Sequence, residues 1–226
     1  MVLDVGGGPG RYACWLAGLG YAVHLIDPVE RHVRQAREAS LAQPEHPLAG
    51  ARVGDARSLD QADGSADAVL LMGPLYHLTD RSDRLTALRE AYRVLKPGGV
   101  VIAKAVNRFA SLLSALRRSH IDDPEFAPIL LRDLADGQHR GLPDGFRYFT
   151  TAFFHRAEEL EGEVVAAGFD QPDLYAVQGP ALAAADLDER MSDAVKRAQL
   201  LDLIRSVERE PTLLGMSKHF VAAATK

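Results

Sequence analysis

Asp4, Gly6, Gly8 and Gly10 occupy alternate positions in the run Met1-Val2-Leu3-Asp4-Val5-Gly6-Gly7-Gly8-Pro9-Gly10. An apolar, strand-like stretch carries one acid and then breaks into glycines. It continues as the helix-like Arg11-Tyr12-Ala13-Cys14-Trp15-Leu16-Ala17. Strand, glycine turn and helix together present backbone N–H groups, and let the backbone approach a nucleotide-like ligand closely. Spacing narrows the ligand. A dinucleotide fingerprint G-x-G-x-x-G begun at Gly6 needs glycine at position 11, where Arg11 stands. The pattern present is D-x-G-x-G-x-G, and Gly7 adds to it without breaking it.

Further acids fall where strands are expected to end. Tyr21-Ala22-Val23-His24-Leu25-Ile26 closes on Asp27-Pro28, and the short Ala51-Arg52-Val53 closes on Gly54-Asp55-Ala56. In open α/β sheets, ligands bind beyond the carboxyl ends of the strands. Asp27 lies 17 positions past Gly10, near the roughly 20 at which a ribose-binding carboxylate belongs. A carboxylate there accepts two charge-assisted hydrogen bonds from a ribose diol. A lone Asp at a strand end is most often a cap or turn former. Asp4, Asp27 and Asp55, in order around one glycine pattern, point beyond that. Gly73-Pro74-Leu75-Tyr76-His77 follows the apolar run Ala66–Met72. Tyr76 and His77 either border a reacting acceptor, with His77 as a general base near neutral pH, or pack under the next helix.

D-x-G-x-G-x-G resembles motif I of the class I S-adenosylmethionine (SAM)-dependent methyltransferases. Arg93-Val94-Leu95-Lys96-Pro97-Gly98-Gly99 before a β-rich run is similar to their approach to the fifth strand. The resemblance covers roughly residues 1–105 and continues weakly through Phe154–Phe169. It is to the small-molecule type, like the ubiquinone and menaquinone methyltransferases. SAM has a sulfonium and a zwitterionic tail instead of a pyrophosphate, and the acid at Asp4 suits it. The resemblance implies SAM bound by Asp4, Gly6, Gly8, Gly10 and Asp27, with S-adenosylhomocysteine (SAH) as product. It also implies Pro28 on the adenine face, Asp55 and the Ala56 backbone at the adenine amino group, and the Gly73 carbonyl at the SAM amino group. Tyr76 and His77 are the candidate catalytic residues. G-P-L-Y stands where DNA and protein-glutamine methyltransferases carry an N-P-P-Y type sequence, which argues against amide or exocyclic-amine methylation of that kind. The donor is already activated, so alignment and desolvation supply much of the catalysis.

These residues need an α/β scaffold. Apolar runs alternate with amphipathic helical patterns over the first two-thirds, as in a parallel sheet covered on both faces. The expected fold is a doubly wound, Rossmann-like, seven-stranded sheet. It is mostly parallel, and the resemblance makes its last strand, around His219–Ala223, antiparallel. Leu85, Leu88, Tyr92 and Leu95 form one apolar stripe on a helix begun at Asp80. A single domain is expected over 1–226, with a variable acceptor or lid insertion at about 107–151 and a helical insertion at about 179–210. Residues 119–151 read as irregular, an acceptor lid holding His120, Asp122, Asp123, His139, Arg140 and Tyr148. Their spacing matches no metal-ligand pattern, and solvated loop residues are expected. Phe146, Tyr148, Phe149, Phe153 and Phe154 cluster at its end, as core or as substrate platform. Asp186–Glu208 reads as one helix with a capping-box-like start and a shared face of Leu187, Met191, Ala194, Val195, Ala198, Leu201 and Ile204.

Composition bounds the rest. Net charge is −5, so no general attraction to nucleic acid or anionic membrane is expected. Cys14 is the one cysteine and reads as a small apolar residue. Neither a membrane span nor a secretory signal is visible, which makes cytoplasmic the default; oligomeric state stays open. Domains of this type usually carry a helical segment ahead of their first strand, and the expectation is that this segment has been lost. The partner expected is a small-molecule acceptor. The alternatives are a SAM-binding protein without transferase activity and an NAD(P)-dependent oxidoreductase. The latter typically needs Tyr-x-x-x-Lys, whereas Tyr76 is followed at that spacing by Asp80.

Overall fold

Short β-branched and leucine-rich runs bounded by glycine or proline form the strands. The computed structural model describes residues 1–118, 120–141 and 148–226, and they divide into two compact units. The first comprises Met1–Lys104, Glu161–Pro172 and Ala222–Lys226. It holds β1 (Val2–Val5), α1 (Arg11–Gly18), β2 (Val23–Asp27), α2 (Glu30–Leu41), β3 (Gly50–Val53), β4 (Ala66–Leu71), α3 (Pro74–His77), α4 (Arg81–Val94) and most of β5 (Leu95–Asn107). The strands lie in the order β3-β2-β1-β4-β5, all parallel, with Asp4 opposite Leu25 on one side and Leu70 on the other. The order reverses at β1: β2 lies on one side of it and β4 on the other.

Small residues let the helices close on the sheet. Ala13 and Ala17 of α1 and Val33 and Ala36 of α2 are buried against Val2, Val23, Leu25 and Leu70. The expected stripe on α4 forms. Leu85, Leu88 and Leu95 are buried, and half-buried Tyr92 meets Phe169 edge-on at 5.1 Å. Asp80 is the N-cap residue, but its side chain makes no capping hydrogen bond. An element that periodicity did not reveal shares this unit. Arg84 and Glu163, both 2% exposed, form a bidentate pair with Nη2–Oε1 at 2.7 Å and Nε–Oε2 at 2.9 Å.

The second unit comprises Ala105–Leu160 and Asp173–Val221. In chain order its elements are α5 (Ala110–Arg118), α6 (Phe126–Asp136), β6 (Gln138–His139), β7 (Ala152–His155), the start of α7 (Ala157–Ala166), β8 (Asp173–Ala176), α8 (Leu187–Ser192), α9 (Ala194–Arg205) and the start of β9 (His219–Thr225). The last residues of β5, Val106 and Asn107, pair in parallel with β7, and β7 pairs antiparallel with β6. β9 runs against β5: Lys226 pairs with Gly98 and Gly99, and Lys218 with Asn107.

The described residues hold nine strands rather than seven. The extra two are β6 and β7. β7 is four buried residues without alternation, and β6 is two residues long, too short for any period to register. Part of the stretch expected to be irregular is helical. Phe126 and Ile129 of α6 pack with Ala115, and Pro128 falls in the first turn, where proline is tolerated. The single helix expected over Asp186–Glu208 breaks at Asp193. That carboxylate accepts the Val195 and Lys196 N–H groups and starts α9 anew. Of the expected shared face, Ile204 is buried, whereas Val195 is 67% exposed. Asp186 binds Arg190 and makes no cap hydrogen bond. No described helix is long and apolar enough to cross a membrane.

Candidate cofactor-binding site

The crevice of an open α/β sheet opens at the carboxyl ends of the strands where their order reverses, here β1 and β4. Past Val5 the chain enters the glycine turn. The Gly6 N–H donates to the Ile26 carbonyl at 2.7 Å, and the Gly10 N–H to the Gly7 carbonyl at 3.1 Å. The Cys14 N–H then donates to the Gly10 carbonyl at 2.8 Å, which opens α1. Half-buried Cys14 is a free thiol.

Two acids flank this turn. The Asp4 side chain is wholly buried, and neither carboxylate oxygen has a hydrogen-bond partner among the described residues. Burial pushes its pKa up to about 6. The Ala13 amide, outside hydrogen-bonding geometry, opposes that rise, and the charge of Asp27 adds to it. Asp27, 5% exposed, is fully engaged. Its Oδ2 accepts the Gly8 N–H at 2.9 Å. Its Oδ1 accepts the Val29 N–H at 2.9 Å and lies 3.0 Å from His32 Nδ1. These bonds fix the carboxylate in place and tie the end of β2 to the glycine turn.

The glycines differ in what they make room for. A Cβ on Gly7 would lie 2.7 Å from Asp4 Oδ2 and 2.9 Å from Leu25 Cδ1. Gly7 is therefore part of the site's construction, although spacing alone does not distinguish it. Gly6 backs onto Pro74, whose Cγ would lie 2.6 Å from a Cβ there, and a Cβ on Gly10 would meet Ala36 at 3.0 Å. Gly8 has a φ of +57° and open space where its side chain would be, as backbone that faces a ligand requires. Gly73 brings the loop after β4 onto the same turn, a Cβ there lying 3.2 Å from the Gly6 carbonyl oxygen.

Asp55 is held by a residue that the sequence did not single out. Arg57 donates to its carboxylate from Nη2 at 2.6 Å and Nε at 3.0 Å, and the Arg57 N–H adds a bond of 2.8 Å. Arg57 also reaches Asp83 at 2.7 Å. The guanidinium holds the Asp55 carboxyl below the usual carboxylate range. An arginine two positions after an acid was the available signal. Ala56 is buried beside it, and Pro28 is exposed next to Asp27. α3 carries both candidate catalytic side chains, with the Tyr76 and His77 rings 4.6 Å apart. Burial, and secondarily the Tyr12 phenol, raise the Tyr76 pKa. His77 keeps an exposed edge; desolvation on its protein side lowers its pKa, against the pull of Asp27.

All eleven sequence-selected site residues, from Asp4 to His77, belong to the first unit. The second unit corrects the reading of the lid residues. His139 is 1% exposed rather than solvated: its Nδ1 lies 2.8 Å from the buried Asp133 carboxylate, which also accepts the Ser111 hydroxyl. A two-residue strand hid it from pattern reading. Phe153 and Phe154 are core, Phe149 is 43% exposed, and Tyr148 packs on the cluster of Ala115, Phe126 and Ile129. Phe146 lies outside the described residues. No metal-holding cluster of His, Cys, Asp or Glu occurs among the described residues. The unit also holds a cavity of about 340 Å³, lined in part by Ser111, Ser114, His120, Phe126, Tyr148 and Phe154.

Comparison with known proteins gives the same frame. Residues 3–103 match a methyltransferase-domain family model. Methyltransferase GfsG of Streptomyces halstedii is 31% identical over 64% of this chain and 58% of its own length. The ubiquinone biosynthesis O-methyltransferase of Caulobacter vibrioides is 32% identical over 61% of this chain and 50% of its own length. The chain thus spans little more than half the length of these relatives. A SAM-dependent methyltransferase from Methanosarcina mazei shares the fold, with a TM-score of 0.64 at 22% identity, covering 100% of this chain and 91% of the other. The glycine turn braced by two acids at the sheet's switch point thus lies within residues 3–103, the stretch that matches the methyltransferase-domain family model.

Proposed function

We propose that the protein transfers the SAM methyl group to a small-molecule acceptor. The observation that carries this reading is the pair of acids at the glycine turn. Asp4 is buried without a hydrogen bond among the described residues, and Asp27 is locked onto the Gly8 amide. Neither pairs with a lysine or arginine among the described residues. Such a pair suits a ligand with positive charge and a ribose, and disfavours a pyrophosphate.

Asp4 and the turn would hold the charged end of SAM, Asp27 the ribose diol, and exposed Pro28 the adenine face. Asp55 and the Ala56 backbone would meet the adenine amino group, with the Asp55 carboxylate already oriented by Arg57. The Gly73 carbonyl would take the SAM amino group. When bound, SAM supplies a methyl group on a sulfonium, a leaving group that needs no further activation. The protein's share is then alignment and exclusion of water. His77, whose pKa burial lowers from the ordinary imidazole value against the pull of Asp27, is suited to accept an acceptor proton beside Tyr76. The insertion at about 107–151 is the candidate acceptor or lid segment, and the second unit, to which it belongs, holds an aromatic-walled cavity near His120.

Calorimetric titration with SAH, with NAD as a parallel control, tests the cofactor assignment. Micromolar binding of SAH alone is expected. Binding of NAD instead overturns the assignment in favour of an oxidoreductase. If SAH binds, incubation with SAM and a panel of phenols, quinols and carboxylic acids should release SAH for at least one acceptor. Binding without release across such a panel would indicate a SAM-binding protein that transfers nothing.

A further inference from the structure

Lys104 stands near the carboxyl end of β5, half-buried, on the strand face that also carries Ile102. Its Nζ lies 5.8 Å from the centroid of the Tyr76 ring. It has no hydrogen bond or ion pair among the described residues. Other lysines of the chain are occupied: Lys96 by Asp67, Lys196 by Glu189, and Lys226 by the carbonyls of Tyr92 and Leu95. An ammonium drawn out of water without an anion is costly. One aromatic face offsets only part of that cost. Desolvation accordingly lowers the Lys104 pKa. Lys104 thus lies beside Tyr76 and near the carboxyl edge of the sheet, the side on which open α/β sheets bind ligands.

We propose that Lys104 is the anion-binding residue of this site and receives a negatively charged oxygen of a bound ligand. The assignment rests on the methyltransferase reading above. Two sources carry such an oxygen: the methionine carboxylate of SAM, and an ionised hydroxyl or carboxylate of the acceptor. In the second case Lys104 acts as a fixed cation and keeps its proton. The acceptor oxygen bonds to the methyl carbon as the carbon–sulfur bond breaks, and sulfur takes the electron pair and becomes neutral. Lys104 then favours an acidic acceptor over a neutral alcohol.

Calorimetry on the wild type, Lys104→Met and Lys104→Arg tests this with three probes. They are SAH, 5′-methylthioadenosine, which lacks the amino-acid tail, and 4-nitrophenolate added to SAH-loaded protein at a pH where it is ionised. If the carboxylate of the cofactor is the partner, K104M weakens SAH by at least about tenfold and leaves 5′-methylthioadenosine unchanged. If the acceptor is the partner, SAH is unchanged. The phenolate then binds the wild type and K104R at least about tenfold more tightly than K104M. Unchanged SAH affinity together with no Lys104-dependent phenolate binding overturns the assignment. Failure of wild-type protein to bind SAH overturns instead the cofactor reading on which it rests. Retained thermal unfolding of K104M shows that any loss is local.

Discussion

Asp27 grips the glycine turn through the Gly8 amide, whereas Asp4 lies under the same turn without a hydrogen bond among the described residues. The two therefore respond differently to substitution. Asp27→Ala removes an orienting carboxylate and leaves the Gly8 and Val29 amides short of an acceptor. Titration should show SAH binding weakened by about 1.5–3 kcal/mol, and undiminished affinity would remove Asp27 from the ribose site. Asp4 carries a pH signature. Its pKa rises from 3.8 unfolded to about 6 folded, so the native state holds the extra proton between those values. Stability is highest in the acid part of that window and falls as pH rises through about 6, by about 3 kcal/mol if Asp4 acts alone. Asp4→Asn should abolish that component, so urea melts at pH 5 and pH 8 should differ less for the variant than for the wild type, while SAH binding is lost. An identical pH difference in both proteins would refute the burial argument. The placement of Asp4, Asp27 and Asp55 in or at the ends of β1, β2 and β3 was legible because acids at strand ends and glycines at alternate positions are patterns in one dimension. Gly7 and Arg57 were not, because their roles exist only once the turns are folded: a Cβ on Gly7 would lie 2.7 Å from Asp4, and the Arg57 guanidinium lies 2.6 Å from Asp55.

Arg84 and Glu163 show what periodicity misses at the scale of elements. The α4 stripe was legible because leucines recur at helical spacing. An arginine in the same helix reads as surface, yet it is 2% exposed because Glu163 lies 79 positions away in sequence and directly against it in space. Arg84 also donates to the Leu78 and Thr79 carbonyls, at 3.0 and 2.9 Å, just ahead of the helix. It therefore holds both α7 and the start of α4. Removing one member strands the other charge. Glu163→Ala should lower unfolding free energy by about 3–5 kcal/mol, measured by chemical denaturation. A change below about 1 kcal/mol, the range of exposed pairs, would mean that water reaches the pair. The split between α8 and α9 escaped for a related reason. Asp193 reads as a tolerable helical residue until its carboxylate is seen to cap Val195 and Lys196, a local bond that competes with helix continuation.

At the scale of the whole molecule, the fold class was legible and its inventory was not. Alternating apolar runs and helices gave a mostly parallel sheet but not its strand order, while β6 is too short for a period to be counted and β7 is buried throughout without alternation. The division into two compact units makes a prediction that neither the residue nor the element scale can make. Every proposed cofactor contact, Asp4 and the turns at 6–10, 27–28, 55–56 and 73, belongs to the first unit, as do Tyr76 and His77. The long aromatic-rich stretch and its cavity belong to the second. A ligand that binds only the native state, at about a hundred times its Kd, raises the free energy of any opening that breaks its site by about 2.7 kcal/mol. Exchange in elements that open independently of the site is left alone. Saturating SAH should therefore slow amide exchange at Gly6–Arg11, Val29 and Tyr76, with little change in α6 and β6, as followed by mass spectrometry of peptides. Protection confined to α6 and β6 would move the binding site to the second unit's cavity and strip the glycine turn of its role. Slowing to the same extent everywhere would mean that exchange proceeds only through global opening, so that the two units unfold as one. The sharper outcome, with the glycine turn protected and α6 exchanging freely, assigns cofactor binding to the first unit and shows that α6 opens independently of that site.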